Sequence, residues 1–209
     1  MNLLLAVVLV AFLAYLVHRF LGSHACTPAP PQVAVFLDSR LRRAVQPPQR
    51  IVERSKIGKG MCVLEVGCGN GVVAACAARA VGGDGKVYGL DIQPAMLDLF
   101  KRKLQEPENA DIRNVQLVAA DACALPFPPQ SFDVVYTVEA LGEVPDQHKA
   151  LVEMRRVLKP DGILAVTEFF IDPHYARRST TLRKCTAADF LPEATAGTFW
   201  NYTLTFRKA

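Results

Sequence analysis

The sequence predicts an α/β fold with a seven-stranded, mostly parallel sheet covered by helices on both faces, preceded by one transmembrane helix. Three observations predict this. Short apolar runs alternate with helical stretches from Met61 onward, a glycine-rich loop follows the first run, and residues 3–17 are continuously apolar or aromatic. Such alternation is typical of parallel sheets, because their central strands are buried on both faces and are therefore apolar throughout.

Seven segments have the length and composition of strands. They are Cys62–Val66, Lys86–Asp91, Val115–Asp121, Phe132–Ala140, Ile163–Phe170, Phe190–Ala194 and Asn201–Arg207. Four segments have the character of helices: Val72–Val81, Pro94–Leu104, His148–Leu158 and Ser179–Ala188. Sheets of this kind bind ligands beyond the carboxyl ends of their strands, so the residues that follow each strand are the first candidates for a site.

The composition narrows the range of functions. A chain of 209 residues predicts one domain plus an appendage. The net charge of +4 is too small to indicate nucleic-acid binding, and no stripe of aromatic and basic residues accompanies it. The cysteines form no CxxC pair and have no histidines at zinc spacing, so no metal site is predicted. Because most lie in apolar runs, we expect reduced core thiols. They are Cys26, Cys62, Cys68, Cys76, Cys123 and Cys185.

The apolar run at the N-terminus has the length of a membrane span. A helix over residues 3–21 is about 28 Å long, and the hydrocarbon core of a bilayer is about 30 Å thick. The leucine, valine and phenylalanine side chains of residues 3–17 favour insertion by about 3 to 7 kcal/mol in total. This outweighs His18 and Arg19, which can reach the interface. The sequence therefore predicts a transmembrane anchor over residues 1–22.

Basic residues set the expected orientation of this anchor. None precedes the apolar run, and the arginines follow it. They are Arg19, Arg40, Arg42, Arg43, Arg50 and Arg54. The positive-inside rule then predicts a single-pass membrane protein with its globular domain on the cytoplasmic side. The same arginines are equally consistent with a surface that rests on anionic headgroups or with an ordinary solvated helix face.

A proline-rich linker over residues 23–32 separates the anchor from a globular domain over residues 33–209. Its TPAPP segment disfavours a helix and favours an extended spacer. Two other interpretations of the apolar run stay open. One is a cleaved signal peptide with a small-x-small site at residues 23–25, and the other is a buried helix of the globular fold.

A glycine-rich loop, GCGNG at residues 67–71, follows the first predicted strand. Glycines between a strand and a helix let the backbone pass close to a ligand, while amides at the helix end point at it. Small residues let the following helix pack tightly on the sheet. They are Ala74, Ala75, Ala77 and Ala78. A glycine motif alone is weak support for a binding site.

Three acidic residues at neighbouring strand ends strengthen the indication. Glu65 lies beside the glycine loop, where a carboxylate suits a cationic amino group better than a pyrophosphate. Asp91 ends the second strand, where an acid can accept hydrogen bonds from ribose hydroxyls. Asp121 ends the third strand, where an acid can accept one from an adenine amino group. A helix cap or a turn is the alternative for each residue taken singly, and this alternative is much weaker for all three together.

The combined motifs resemble a known superfamily. VLEVGCGNG, GLDIQPAML, AADACALPFPPQSFDVV and MRRVLKPDGILAVTE are similar to the class I, Rossmann-like S-adenosylmethionine-dependent methyltransferases, nearest to the ubiquinone/menaquinone-type group. The similarity covers Pro47 to Phe170 and is poorly specific for the substrate. One departure is Asp161, where the family has a second glycine. Since aspartate tolerates left-handed backbone better than most residues, the expected fold is unaffected.

The resemblance implies S-adenosylmethionine as the cofactor and assigns its contacts. Glu65 and the glycine loop would hold the methionine part, Asp91 the ribose, and Asp121 the adenine edge. Val138 and Glu139 would lie near the methyl group. The implied cofactor-binding residues are Glu65, Gly67, Cys68, Gly69, Gly71, Asp91, Ile92, Asp121, Ala122 and Val138.

The residues that act on the acceptor are less well indicated. Methyl transfer from a sulfonium is an in-line displacement, so the enzyme mainly positions the nucleophile and needs a base only when the acceptor must lose a proton. Candidate catalytic residues are Glu139 and Glu143, although Glu143 is equally suited to cap a helix that starts near Pro145. His174 and Tyr175 lie on a predicted loop over the site and are candidate substrate contacts.

The expected function is methyl transfer to a small hydrophobic or amphipathic acceptor, quinone-like or lipid, near the membrane. No large insertion forms a lid, so we expect Val33–Arg54, which follows the anchor, to help cover the cofactor. A protein methyltransferase and a non-catalytic scaffold of the same fold stay open. A nicotinamide-dependent oxidoreductase is also open, but Val72 replaces the third glycine of its fingerprint. The sequence predicts neither the acceptor atom nor the oligomeric state.

Overall fold

The computed structural model describes residues 39–209. The predicted anchor over residues 1–22 and the predicted linker over residues 23–32 therefore lie outside the described residues. Within residues 39–209, no helix is both long enough and apolar enough to cross a bilayer.

The centre of the fold is a seven-stranded sheet with the strand order β3-β2-β1-β4-β5-β7-β6. The strands are β1 (Cys62–Val66), β2 (Lys86–Asp91), β3 (Val115–Ala119), β4 (Phe132–Val138), β5 (Leu158–Phe169), β6 (Phe190–Gly197) and β7 (Asn201–Lys208). The pairs among β1 to β5 are parallel, whereas β7 is antiparallel to both β5 and β6. The prediction of a seven-stranded, mostly parallel sheet is confirmed.

Helices cover both faces of this sheet, as predicted. They are α1 (Arg40–Val45), α2 (Pro48–Arg54), α3 (Val72–Val81), α4 (Pro94–Leu104), α5 (Gln147–Val157) and α6 (Arg178–Ala187). Apolar residues of α2, α3 and α4 pack in one core cluster, and those of α5 and α6 in another. The four alanines predicted to bring α3 close to the sheet are all buried.

Several predicted boundaries are wrong, and the chain shows why. β3 ends at Ala119 because Asp121 already forms a turn, in which its Oδ1 accepts a hydrogen bond from the Cys123 amide at 2.8 Å. β4 ends at Val138 because Glu139 has a left-handed backbone, with φ of 57°. β5 begins at Leu158, since Leu158 pairs with Phe132 ahead of a register shift. The other boundaries differ by only a few residues.

One expectation about the loops is wrong, and the reason given for another does not apply. Asp146, not Glu143, caps α5, because its Oδ1 accepts a hydrogen bond from the Lys149 amide at 2.9 Å. Glu143 instead lies in a short 3-10 helix, Leu141–Glu143. Asp161 is not one of the described non-glycine residues with a positive φ. Its backbone is therefore not left-handed, and the turn does not require a residue that tolerates that conformation. Asp161 lies within β5.

The expectation of core thiols holds only in part. The five cysteines of the described region are unpaired, in line with the prediction of reduced thiols. Cys68 and Cys185 are buried, but Cys62, Cys76 and Cys123 are partly exposed. Cys26 lies outside the described residues.

Candidate cofactor and acceptor site

One cavity of about 590 Å³ lies at the carboxyl ends of the central parallel strands, a volume typical of small-molecule sites. Nine of the ten residues implied as cofactor contacts line it. They are Glu65, Gly67, Cys68, Gly69, Asp91, Ile92, Asp121, Ala122 and Val138. Gly71 does not line the cavity. It precedes α3 and lies against the buried ring of Phe100, so its role is to let the loop turn beneath the site.

The glycine loop leaves room for a ligand at Gly69. This residue has φ of 51°, and a Cβ placed on it would meet no atom within 4 Å. Its amide donates a hydrogen bond to Asp91 Oδ2 at 2.8 Å, which ties the loop to the end of β2. The bare backbone therefore forms one wall of the cavity, as expected for a chain that closely approaches a cofactor.

Asp91 is fixed in place by the backbone. Its second oxygen, Oδ1, accepts a hydrogen bond from the Gln93 amide at 2.9 Å. Burial raises the pKa of this carboxyl group, and the hydrogen bonds from the amides of Gln93 and Gly69 oppose that rise. A carboxylate held in this way at the end of β2 is preorganised to accept hydrogen bonds from a ribose.

Glu65 is buried at the end of β1 and shares its carboxyl group with Tyr136. The Tyr136 hydroxyl donates to Glu65 Oε2 at 2.8 Å. Burial raises the pKa of Glu65 to about 8, the Tyr136 hydrogen bond lowers it, and the nearby charge of Asp91 raises it. A cationic amino group bound beside Glu65 would favour the ionised carboxylate, so this end of the cavity suits a positively charged ligand.

Asp121, the third acid, and its neighbours also line the cavity. Asp121 is exposed, and Ala122 is buried beside it. Ile92 is 55% exposed although it is a large apolar residue. A flat, apolar base placed between these residues would cover Ile92 and leave Asp121 at its polar edge. Each of the three acids thus lines the cavity and also accepts a hydrogen bond from a nearby backbone amide or side chain.

Glu139 follows the last residue of β4 and lines the same cavity. It is buried, its amide donates to the Thr167 carbonyl oxygen at 2.9 Å, and its backbone is left-handed. A non-glycine residue held in this conformation costs about 1 to 3 kcal/mol and is frequent at functional sites. Glu143, the other candidate catalytic residue, also lines the cavity.

The segment before β1 forms part of the cavity wall, which fits the expectation that Val33–Arg54 helps to cover the cofactor. The contributing residues are Arg42, Arg43, Gln46, Pro48 and Ile51. Residues 33–38 of the expected cover lie outside the described residues. The Arg42 side chain is only 11% exposed, and its Nη2 is 2.5 Å from Glu139 Oε2. Arg42 therefore neither rests on lipid headgroups nor lies on a solvated helix face, so both of these interpretations are wrong for this residue.

The two predicted substrate contacts differ in position. His174 lines the cavity, and its amide donates to Asp172 Oδ1 at 2.7 Å. Tyr175 does not line it, because its hydroxyl donates to the Phe199 carbonyl oxygen at 2.5 Å and its ring packs on Phe170 and Tyr202. We correct its role to positioning the loop.

Two further acids lie near the end of β5 and in the following loop, and one of them, Asp172, was not predicted to form part of the site. Glu168 is buried and accepts a hydrogen bond from the Ala176 amide at 3.2 Å. Burial raises the pKa of Glu168 to about 8, and that of Asp172 to about 6. Asp172 lines the cavity. Their burial depends on distant parts of the chain, so no local pattern indicates it.

These pKa values predict that the ligand-free protein becomes less stable as the pH rises. In the unfolded chain Glu65 and Glu168 ionise near pH 4.5, whereas in the folded chain they hold their protons to about pH 8. Their stabilisation is therefore complete below pH 4.5 and is lost as the pH rises to about 8. The loss is at most about 1.4 kcal/mol per pH unit for each group.

Urea unfolding between pH 5 and pH 8 measures this dependence. The Glu168→Gln variant should show a shallower fall in the free energy of unfolding than the wild type. Glu106 is exposed, so Glu106→Gln serves as the matched control and should keep the wild-type dependence. An equally steep fall in all three proteins would contradict the assignment.

Comparison with known proteins agrees with this geometry. Residues 64–166, about half of the chain, match a family described as a methyltransferase domain. The demethylmenaquinone methyltransferase of Staphylococcus aureus is 41% identical over 120 residues, which are 57% of this chain and 48% of that protein. A ubiquinone/menaquinone biosynthesis C-methyltransferase of Marinomonas is 40% identical over 118 residues, 56% of this chain and 46% of that protein. The chain thus spans about half the length of these curated relatives.

A solved structure shows the same fold. The crystal structure of an S-adenosylmethionine-dependent methyltransferase from Aquifex aeolicus has a TM-score of 0.78 at 21% identity, and the match covers 87% of this chain and 100% of that one. The open glycine loop and the acids at three strand ends fit the same cofactor. Residues 64–166 of this chain therefore form a methyltransferase domain, with S-adenosylmethionine as its cofactor.

Proposed function

We propose that this protein transfers the methyl group of S-adenosylmethionine to a small, hydrophobic or amphipathic acceptor of the quinone type. Its two named relatives are quinone-pathway methyltransferases, but each matches over only about half of its length. The acceptor is therefore inferred from the site itself, with the relatives as support.

The observation that carries the proposal is that both acidic and apolar side chains line one cavity. Glu65, Asp91 and Asp121 come from β1, β2 and the loop after β3. Apolar side chains also line this cavity. They are Ile51, Met96, Leu141, Val144 and Ile171. The acids suit a sulfonium nucleoside with a free amino group, and the apolar side chains suit a ring or an alkyl chain.

The protein itself acts mainly by positioning. The acids and the glycine loop hold the cofactor, which supplies an electrophilic methyl group when it is bound. Residues of α1 and α2 form part of the cavity wall. Holding two reactants in line in this way contributes up to about 7 to 11 kcal/mol to the rate enhancement.

We also propose that the site works on the cytoplasmic side of a membrane, held there by the anchor predicted for residues 1–22. α1 begins at Arg40, so a short stretch of chain joins that anchor to the cavity wall. An apolar acceptor dissolved in the bilayer would then reach the cavity without crossing much water.

Methyl transfer from radiolabelled S-adenosylmethionine tests the proposal directly. The detergent-solubilised full chain is incubated in parallel with a reduced demethylated quinone, fractionated membrane lipids, water-soluble metabolites and a protein extract. We expect label in the quinol or lipid fraction. Label in the water-soluble or protein fraction alone would overturn the acceptor class, and no label in any fraction would overturn the activity.

A further inference from the structure

We propose that Gln46, Thr137 and Glu139 form a subsite that binds a neutral hydroxyl group on the acceptor. This inference rests on the proposed function, because it concerns the acceptor part of the same cavity. It identifies the acceptor more narrowly, as a hydroxylated ring such as a quinol or a phenol.

The three residues share an unusual feature. Each has a buried polar atom with no hydrogen-bond partner in the described part of the chain: Gln46 Nε2, Thr137 Oγ1 and Glu139 Oε1. Their relative exposures are 5%, 1% and 8%. Leaving such an atom unpaired costs about 1 to 3 kcal/mol, so a polar partner is expected.

The position of these atoms indicates a ligand as that partner. All three residues line the cavity. Three other residues of the described chain have similar unpartnered atoms but do not line it. They are Ser55, Arg178 and Thr205. Unpaired polar groups on residues that line a cavity are typical of a site that a bound molecule completes.

Arg42 brings two of these groups together. Its Nη2 donates to Gln46 Oε1 at 3.0 Å and to Glu139 Oε2 at 2.5 Å. Because one nitrogen contacts both side chains, the free Nε2 of Gln46 and the free Oε1 of Glu139 belong to groups only a few Å apart. Thr137 lies in β4, and Glu139 follows that strand directly after Val138.

The charges at this subsite select a hydroxyl group. Glu139 Oε1 requires a hydrogen-bond donor from the ligand, and Gln46 Nε2 requires an acceptor. Arg42 already neutralises Glu139, so a cationic amine would gain little and would lie close to the guanidinium group. A hydroxyl group is the smallest neutral group that both donates and accepts, and Thr137 Oγ1 can serve in either role.

Equilibrium binding to the full chain, saturated with S-adenosylhomocysteine, tests the subsite without catalysis. The probes are naphthol and its methyl ether, methoxynaphthalene, in which a methyl group replaces the hydrogen that the hydroxyl group donates. We expect naphthol to bind about 10-fold more tightly, as one to two net hydrogen bonds would give. Equal affinities would overturn the inference.

Variants locate the effect. Gln46→Leu and Thr137→Val should each reduce the preference for naphthol, while binding of S-adenosylhomocysteine and the melting temperature report whether the protein is folded. Thr205→Val is the matched control, because Thr205 is an unpartnered buried threonine away from the cavity. It should retain the preference. Loss of the preference in Thr205→Val alone, or in none of the variants, would overturn the assignment.

The two experiments distinguish a failure of the proposed subsite from a failure of the proposed function. If the wild type methylates a quinol but binds naphthol and its ether equally, the subsite is wrong and the function stands. If it prefers naphthol but transfers no label to any quinol, the hydroxyl site stands as a binding site and the proposed acceptor is wrong.

Discussion

Replacing Gly71 by alanine is expected to lower the free energy of unfolding by about 2 to 6 kcal/mol. Gly71 has φ of 76°, which costs an alanine about 1 to 3 kcal/mol in a site held by its surroundings. The added Cβ would also overlap the ring of Phe100, which is fully buried and has no room to move. Overpacking of this kind costs about 1 to 3 kcal/mol more.

Gly60 provides the matched control for this experiment. It has the same φ of 76°, but a Cβ there would meet no atom within 4 Å. Gly60→Ala should therefore show only the backbone cost, about 1 to 2 kcal/mol. Urea unfolding of both variants separates the two effects, and equal losses would show that Phe100 does not restrict the loop.

Replacing Asp91 by asparagine is expected to weaken the binding of S-adenosylhomocysteine by about 10- to 150-fold. Asp91 is held by the amides of Gly69 and Gln93 and lines the cavity at the end of β2. Hydrogen bonds to a charged group contribute about 1.5 to 3 kcal/mol each, which corresponds to that range. The asparagine amide also cannot accept from both backbone groups, so the loop loses part of its support.

Asp98→Asn is the matched control. It makes the same chemical change at a residue that is exposed on α4 and does not line the cavity. Isothermal titration with S-adenosylhomocysteine compares the two variants, at a temperature where circular dichroism shows both to be folded. We expect Asp98→Asn to bind like the wild type. Similar affinities in both variants would remove Asp91 from the site.

The parts of the fold that follow from local pattern were predictable. Apolar runs and their spacing identified all seven strands, and the acids at the ends of β1 and β2 followed from where those strands end. The Asp146 cap was also readable, since an aspartate directly before a helical segment is a start signal. Choosing Glu143 instead was an error of interpretation.

The parts that depend on distant contacts were not predictable. Arg42 and Glu139 pair across 97 positions in the chain, and Tyr136 meets Glu65 across 71. No local signal marks Gln46 as a cavity residue, because its burial depends on how the segment that contains α1 and α2 packs on distant parts of the chain. Tyr175 looked like a substrate contact on a loop, but its hydroxyl bonds to the β6–β7 turn.

A crystal structure of the protein with bound S-adenosylhomocysteine would test directly whether the acids and the glycine loop bind the cofactor. We predict ribose hydroxyls against Asp91, the base between Ile92 and Asp121, and the amino group beside Glu65 and the Gly67–Gly69 backbone. A nucleoside bound elsewhere, or an empty cavity at saturating concentration, would contradict the account.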